Sequence, residues 1–292
     1  MIRLGIFYYR EEIMKQALFL VTSIAGLKKP GFISKIEDLQ SNDYEIAVLL
    51  AMTNFDEIYQ AKKNMQNIRG NINLENIRMT SLFDVFKGDA GVPLKEEEIT
   101  NESFDGLNAH EMNATQGIIR RYVTEEGDLR AESLFVDDVL THTIIFDESA
   151  QVIQVNNYDH ERLFGVEKYR NDEMFESLLL NDNQELLFRF TKTQTTKKVS
   201  YLLGNSAVIE APEELVMNAD TDDNTIKTFE SNIETPSIKV ISYSDFKRYD
   251  SINGFYNRLL TNMKLTDTEI YLDSVDLVDI AKYMPKQRIF NY

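Results

Sequence analysis

The 292-residue chain has no cysteine, which excludes a disulfide, a thiolate zinc site and a cysteine nucleophile. That composition fits a reducing cytoplasm. Proline is nearly as scarce, with five in all and none between Pro93 and Pro212, so nothing in that long interval removes a backbone donor from a sheet. The three histidines, His110, His142 and His160, stand far apart and in no metal-binding spacing. No G-x-S-x-G nucleophile elbow occurs. The residues after the first apolar run are REEIMKQ (10–16), with neither a G-x-G-x-x-G nor a P-loop to cradle a phosphate. Positive charge is also in deficit. The formal net charge is −17, the wrong sign for a protein that neutralises phosphates with clustered Lys and Arg, so nucleic acid is not an expected partner. Long apolar runs are missing too: residues 17–27 (ALFLVTSIAGL) fall short of the about 20 residues a bilayer span needs. Glu11 and Glu12 sit where a signal peptide carries positive charge, so that run reads as a buried helix of a cytoplasmic protein.

What is present is a chain that is 43% hydrophobic, enough to build a core. Acid is concentrated in residues 84–149, densest at Glu96-Glu97-Glu98. The ordinary reading is a solvated, self-repelling face, the alternative a docking site for a basic partner. From about residue 118 to about residue 209 the sequence repeats one grammar. YVTEEGDLRAESLF (122–135), TIIFDESAQVIQVNNY (143–158) and LLLNDNQELLFRF (178–190) each run from apolar residues into an acidic or small cluster and straight into a second β-prone run. That is the hairpin signal. Further breaks at Asp137-Asp138, Asn171-Asp172 and Gly204-Asn205 keep the spacing of consecutive short antiparallel strands, a β-meander.

The flanks read as α/β. Residues 3–9 (RLGIFYY) and 44–52 (YEIAVLLAM) have the continuous apolar character of buried strands. Residues 10–26 and 55–68 carry helical spacing, the first ended by Gly26 and Pro30-Gly31. Residues 77–88 read as a strand end and a short helix with Ser81 as N-cap, and 89–111 as an exposed connector. Beyond the meander, 213–217 and 238–241 read as strands, 246–263 as a helix, 269–272 as a strand and 275–283 as a helix. The expected fold is therefore α/β, a Rossmann-like layer over 1–112, a long antiparallel β-meander insertion over 113–212, and the layer resumed over 213–292.

Chemistry-bearing clusters are few. Asp220-Thr221-Asp222-Asp223 follows the apolar LVMNA, and two carboxylates in D-x-D spacing suit a divalent cation, although a solvated acidic loop is the simpler reading. His142 falls mid-ladder, where a cross-strand partner is expected. The Asn113-Ala114-Thr115 sequon matches a glycosylation acceptor by spelling alone. Aromatics in the ladder serve mainly to bury it, yet Tyr122, Phe135, Tyr158, Phe188 and Phe190 also make a candidate platform for a polypeptide or a partner subunit.

The stretches AVLLAMTNFDEIYQ (47–60), SLFDVFKG (81–88), the ladder, and GFYNRLLTNMKLTDTEIYLDSVDL (254–277) together resemble bacterial glycosyltransferases of GT-B architecture. These insert a β-meander into their first Rossmann domain and modify serine-rich adhesins or wall teichoic acid. The same stretches resemble the family's non-catalytic relative in the accessory Sec system, whose S-x-F-D-x-x-Q pattern recurs from Ser81 with Lys87 in place of Gln. The resemblance covers most of this chain but little more than half of such a protein, without the second Rossmann domain and its E-x7-E donor site, an incomplete GT-B. It implies a cytoplasmic, non-catalytic interaction protein that aids glycosylation or export of serine-rich adhesins. Its partners would be accessory Sec components or the adhesin itself, with membrane association only through those partners and no cofactor. The alternative is an enzyme: the acceptor-binding half of a glycosyltransferase, or a transferase taking a nucleotide sugar with a divalent cation on Asp220 and Asp222.

Overall fold

A computed structural model describes residues 15–68, 72–95, 98–101, 103–115, 117–191, 201–202, 207–210, 240–241, 248–249, 252–263, 265, 267–281 and 288–292. Two compact units emerge, one formed by Met1–Val85 with Ile252–Tyr292 and the other by Phe86–Ser251. The sequence had placed the insertion at 113–212. Among the described residues no helix is long and apolar enough to cross a membrane.

The first unit is built on a five-stranded, all-parallel sheet: β1 (Gln16–Val21), β2 (Glu45–Leu50), β3 (Ile77–Ser81), β16 (Thr268–Leu272) and β17 (Arg288–Asn291), in the order β17-β16-β1-β2-β3. Helices α1 (Ile24–Leu27) and α2 (Pro30–Ser41) follow β1, α3 (Asp56–Gln66) follows β2, and α4 (Leu82–Phe86) follows β3. Helices α5 (Ile252–Asn262) and α6 (Ser274–Ala281) flank β16. This is the expected βαβ layer, with one element exchanged. The run read as a buried helix is instead the central strand, since Ala17 to Val21 are fully buried between β2 and β16. A short apolar run suits a doubly covered strand as well as a helix, and periodicity alone does not separate them. Likewise Pro30 starts α2, at its first turn, where the missing N–H costs nothing. The first expected strand, 3–9, lies outside the described residues, as does 213–217.

Ser81 caps α4 as its position suggested. Its Oγ accepts from the Asp84 amide at 3.3 Å while the Asp84 carboxylate accepts from the Ser81 amide at 2.9 Å, a reciprocal capping box. The core is partly aromatic: Phe19 stacks on Tyr271 at 4.9 Å and meets Phe32 edge-on at 5.3 Å. Tyr256 of α5 donates to the Ala51 carbonyl at 2.6 Å, tying the helix to the end of β2.

The second unit is the meander. Strands β4 (Asn108–Ala114), β5 (Gly117–Val123), β6 (Leu129–Val136), β7 (Val139–Phe146), β8 (Val152–Asp159), β9 (Arg162–Arg170), β10 (Glu173–Leu180) and β11 (Leu186–Thr191) pair antiparallel with their sequence neighbours. Two short strands, β13 (Ala207–Glu210) and β15 (Arg248–Tyr249), extend the sheet in parallel beyond β11, and β12 (Tyr201–Leu202) pairs separately with β14 (Val240–Ile241). The repeated turn spelling has one geometry. At Thr124, Asp147 and Asn181 the first residue's side chain accepts from backbone amides ahead of it. The fourth residue (Gly127, Ala150, Gln184) takes φ of 94°, 58° and 61°. The breaks at Asp137-Asp138 and Asn171-Asp172 are two-residue turns with positive φ at both residues, which matches the twist of the strands they join. His160-Glu161 forms a third such turn, at a dipeptide with no turn preference. Strand β4 corrects the reading of 89–111 as an exposed connector: polar on both faces, it carries none of the apolar alternation that marks a strand.

Candidate functional site

Side chains directly opposite one another in adjacent antiparallel strands share a face, so the registers sort the sheet. One face carries Tyr122, Ser133, Thr143, Gln154, Asn156, Lys168, Glu176 and Arg189; the other carries Arg121, Glu132, Leu134, His142, Asn157, Glu167, Phe188 and Phe190. The described residues between 92 and 105 form a strap over the first face. Val92 bridges Leu186 of β11, Glu98 pairs with Arg189 of β11, and Thr100 exchanges two hydrogen bonds with the Gln154 amide of β8 at 2.8 and 3.0 Å. Phe104 then stacks on Tyr122 of β5 at 4.2 Å.

Beneath the strap lies a buried ionic cluster. Arg189 reaches Glu176 at 2.8 Å as well as Glu98, and Lys168 reaches Glu176 at 3.3 Å. Burial pulls the Lys168 ammonium below its ordinary pKa, and Glu176 opposes that shift. The cluster has two cations and two anions, which is the condition for keeping charge out of water. Glu98 therefore departs from the reading of its acidic run as a solvated face.

Of the five aromatic candidates, three share the strap's face and two do not. Tyr122 is under Phe104, and Phe135 lies under the Arg120 guanidinium at 4.7 Å. Burial raises the Tyr158 hydroxyl's pKa, while hydrogen bonds with Asn156 and Thr143 oppose that. Phe188 and Phe190 are on the opposite face and buried, Phe188 against Phe86 at 4.7 Å. They belong to the core rather than to a common platform. Asp220 and Asp222 lie outside the described residues, and among those described no group of three potential metal-ligating side chains converges.

The opposite face bears a groove of about 350 Å³ lined by Ala114, Thr115, Ile119, Glu132, Leu134, His142 and Ile144. Burial lowers the His142 pKa and the nearby Glu132 opposes the shift; Glu132 is itself paired with Arg121 at 2.6 Å. Leu134 and Asn157 flank His142 in the ladder, so it is a half-buried strand histidine with a neighbouring carboxylate, as its position suggested. His110 is exposed on β4, and His160 sits in its turn.

The outer strands have little cover. No residue of β4 or β5 is buried, and six of the seven in β4 are exposed. Sequence reasoning began the ladder at β5 and so missed this edge. Gly117, the first residue of β5, was the signal available, since a glycine there points to a turn and a strand before it.

In the first unit, chain direction across the sheet reverses between β1 and β16. Beyond the carboxyl ends of such strands is where open α/β sheets receive ligands. Here two of the amides after β1 are engaged: Gly26 N–H donates to the Ser23 hydroxyl at 3.3 Å and Ile24 N–H to the Glu57 carboxylate at 3.4 Å. Thr22 donates to Asp276 at 2.6 Å, and Lys29 pairs with Asp273. A Cβ on Gly26 would lie 2.9 Å from the Tyr292 hydroxyl, whose pKa is raised by burial and then by Asp273 and Asp276. Among the described residues, three carboxylates and one ammonium lie about this crevice. A phosphate binds where free amides and positive charge converge, and neither prevails among the described groups.

No family model matches the sequence, and no curated protein matches it either. Solved structures do. A GtfA/B complex is similar with a TM-score of 0.51 at 11% identity, over 95% of this chain and 47% of that one. The pneumococcal O-GlcNAc transferase GtfA with UDP and GlcNAc aligns at a TM-score of 0.49 and 8% identity, covering 96% and 47%. A complex of accessory secretory proteins 1, 2 and 3 from Streptococcus pneumoniae aligns at 0.36 and 10%, covering 94% and 61%. The chain thus spans about half the length of the first two of these chains. With its parallel α/β layer and long antiparallel meander, the fold of this protein is GT-B-like with a β-meander insertion.

Proposed function

We propose that the chain is a non-catalytic, accessory-Sec-like interaction protein that aids glycosylation or export of serine-rich adhesins. It holds a polypeptide or a partner subunit on its antiparallel sheet. The observation that carries this reading is the crevice at the strand-order reversal of the parallel sheet. Two of its amides donate to Ser23 and Glu57, and its described side chains, Glu57, Asp273 and Asp276 beside Lys29, are mostly acidic, a poor match for a phosphate. The outer strands, exposed β4 and half-buried β5, supply the complementary half, a surface rather than a pocket. Tyr122, Phe135 and Tyr158 are retained as candidate contact residues on one face.

A second reading, the acceptor-binding half of a glycosyltransferase, is favoured by the fold shared with the GtfA/B complex. Incubating the purified chain with a serine-rich repeat polypeptide and a UDP-sugar in the presence of Mn²⁺ separates the two. Retention of the polypeptide without release of UDP is expected. UDP release lost in Asp222→Ala would replace the proposal with a metal-dependent transferase, and failure to retain any polypeptide would remove it.

A further inference from the structure

Among the described residues, strand β4 is the outermost strand of the meander and pairs with β5 alone. Half of its backbone amides and carbonyls therefore point away from the sheet, a template for another extended chain. Sheets ordinarily blunt such an edge with a bulge, a proline or a lysine, and β4 (NAHEMNA) has none of these. Its ladder with β5 keeps register through seven consecutive pairs, from Asn108↔Val123 to Ala114↔Gly117. Each of the other antiparallel ladders from β5 to β11 contains a register shift. The one regular ladder of the meander is the one at its rim.

Side-chain chemistry along the rim narrows what can pair there. Glu111 is held by Arg120 through two contacts of 2.6 and 2.9 Å, and next to them on the other face Arg121 is held by Glu132. The fixed charges near the edge are thus neutralised in pairs, while the chain as a whole carries −17. With Glu111 and Arg121 already paired, these rim charges offer a charged segment no local counter-charge, and an acidic one is also repelled by the rest of the molecule. The remaining rim residues, Asn108, Ala109, His110, Met112, Asn113 and Ala114, are mostly small and leave room for cross-strand neighbours.

We infer that the β4 edge binds an extended, uncharged polypeptide segment of about seven residues by strand addition. Main-chain hydrogen bonds supply the affinity and the small rim residues set a loose sequence preference. This rests on the polypeptide-binding reading and assigns it a place and a mode.

The test uses the full chain and an end-capped ten-residue peptide alternating serine and alanine, with amide hydrogen exchange and affinity as readouts. Peptide binding should protect alternate amides of β4. N-methylation of every second peptide amide should leave affinity within about threefold, because one edge of the peptide suffices; N-methylation of all amides should weaken it at least tenfold. Binding with protection elsewhere would overturn the β4 assignment while leaving polypeptide binding in place. Absence of binding would overturn both. Protection of β4 that rises with protein concentration in the absence of peptide would make the occupant a second copy of this chain, and would equally overturn the assignment.

Discussion

Arg189 holds two carboxylates, Glu98 of the strap and Glu176 of β10, in a place with almost no solvent. Removing one member of a buried ionic group leaves its partners charged and uncompensated. Arg189→Met should therefore cost about 3–5 kcal/mol, measured by urea unfolding, and should release protection of amides near Glu98 and Thr100. His142 makes a separate prediction. Its folded pKa lies below the ordinary value of about 6.5 because burial disfavours the imidazolium. As pH falls through 6.5 the unfolded chain takes up a proton that the folded chain does not, so stability declines until the lower folded pKa is passed. His142→Gln should remove that component: the stability difference between wild type and variant is flat above pH 7 and shifts in the variant's favour toward pH 5. A difference independent of pH would contradict this. Neither residue's role was fully legible in the sequence. His142 was placed correctly from the ladder's periodicity, whereas Arg189 and Glu98 are ninety-one positions apart, a pairing that no local pattern encodes.

Among the elements, turns were the most legible, since Asp, Asn and Gly state the backbone conformation they accept. The three four-residue turns and two of the three two-residue turns fall where those residues cluster. Two strands were missed for opposite reasons. Strand β1 is so uniformly apolar that its spacing fitted a helix, and only pairing on both sides decided it. Strand β4 is polar on both faces and gave no periodic signal. Its hairpin depends on Gly117: a Cβ there would lie 2.0 Å from the Phe135 carbonyl oxygen of β6. Gly117→Ala should thus cost about 1–3 kcal/mol through forced displacement. Hydrogen exchange should quicken in β4 and β5 while β8 to β11 keep their protection, and equal loss throughout the sheet would argue against a local effect.

At the scale of the whole molecule, each unit has its own buried core, one around Phe19, Phe32 and Tyr271 and the other around Leu178, Leu186 and Phe190. A chain divided in this way is not expected to unfold in one step. Calorimetry should resolve two transitions, with Arg189→Met lowering one and Tyr256→Phe, which strands the Ala51 carbonyl, lowering the other. Coincident shifts would show the two cores to be coupled. The architecture was read from alternating element types and the run of hairpins, while the acidic crevice, the strap and the open edge all depend on packing between distant residues.

The meander joins only sequence neighbours through tight turns, and this fixes how its width can change. Deleting one strand would reverse the direction of every later strand and turn the inward row of side chains outward. Widening or trimming must proceed a hairpin at a time, so the number of rungs keeps its parity whenever the sheet is lengthened or cut back.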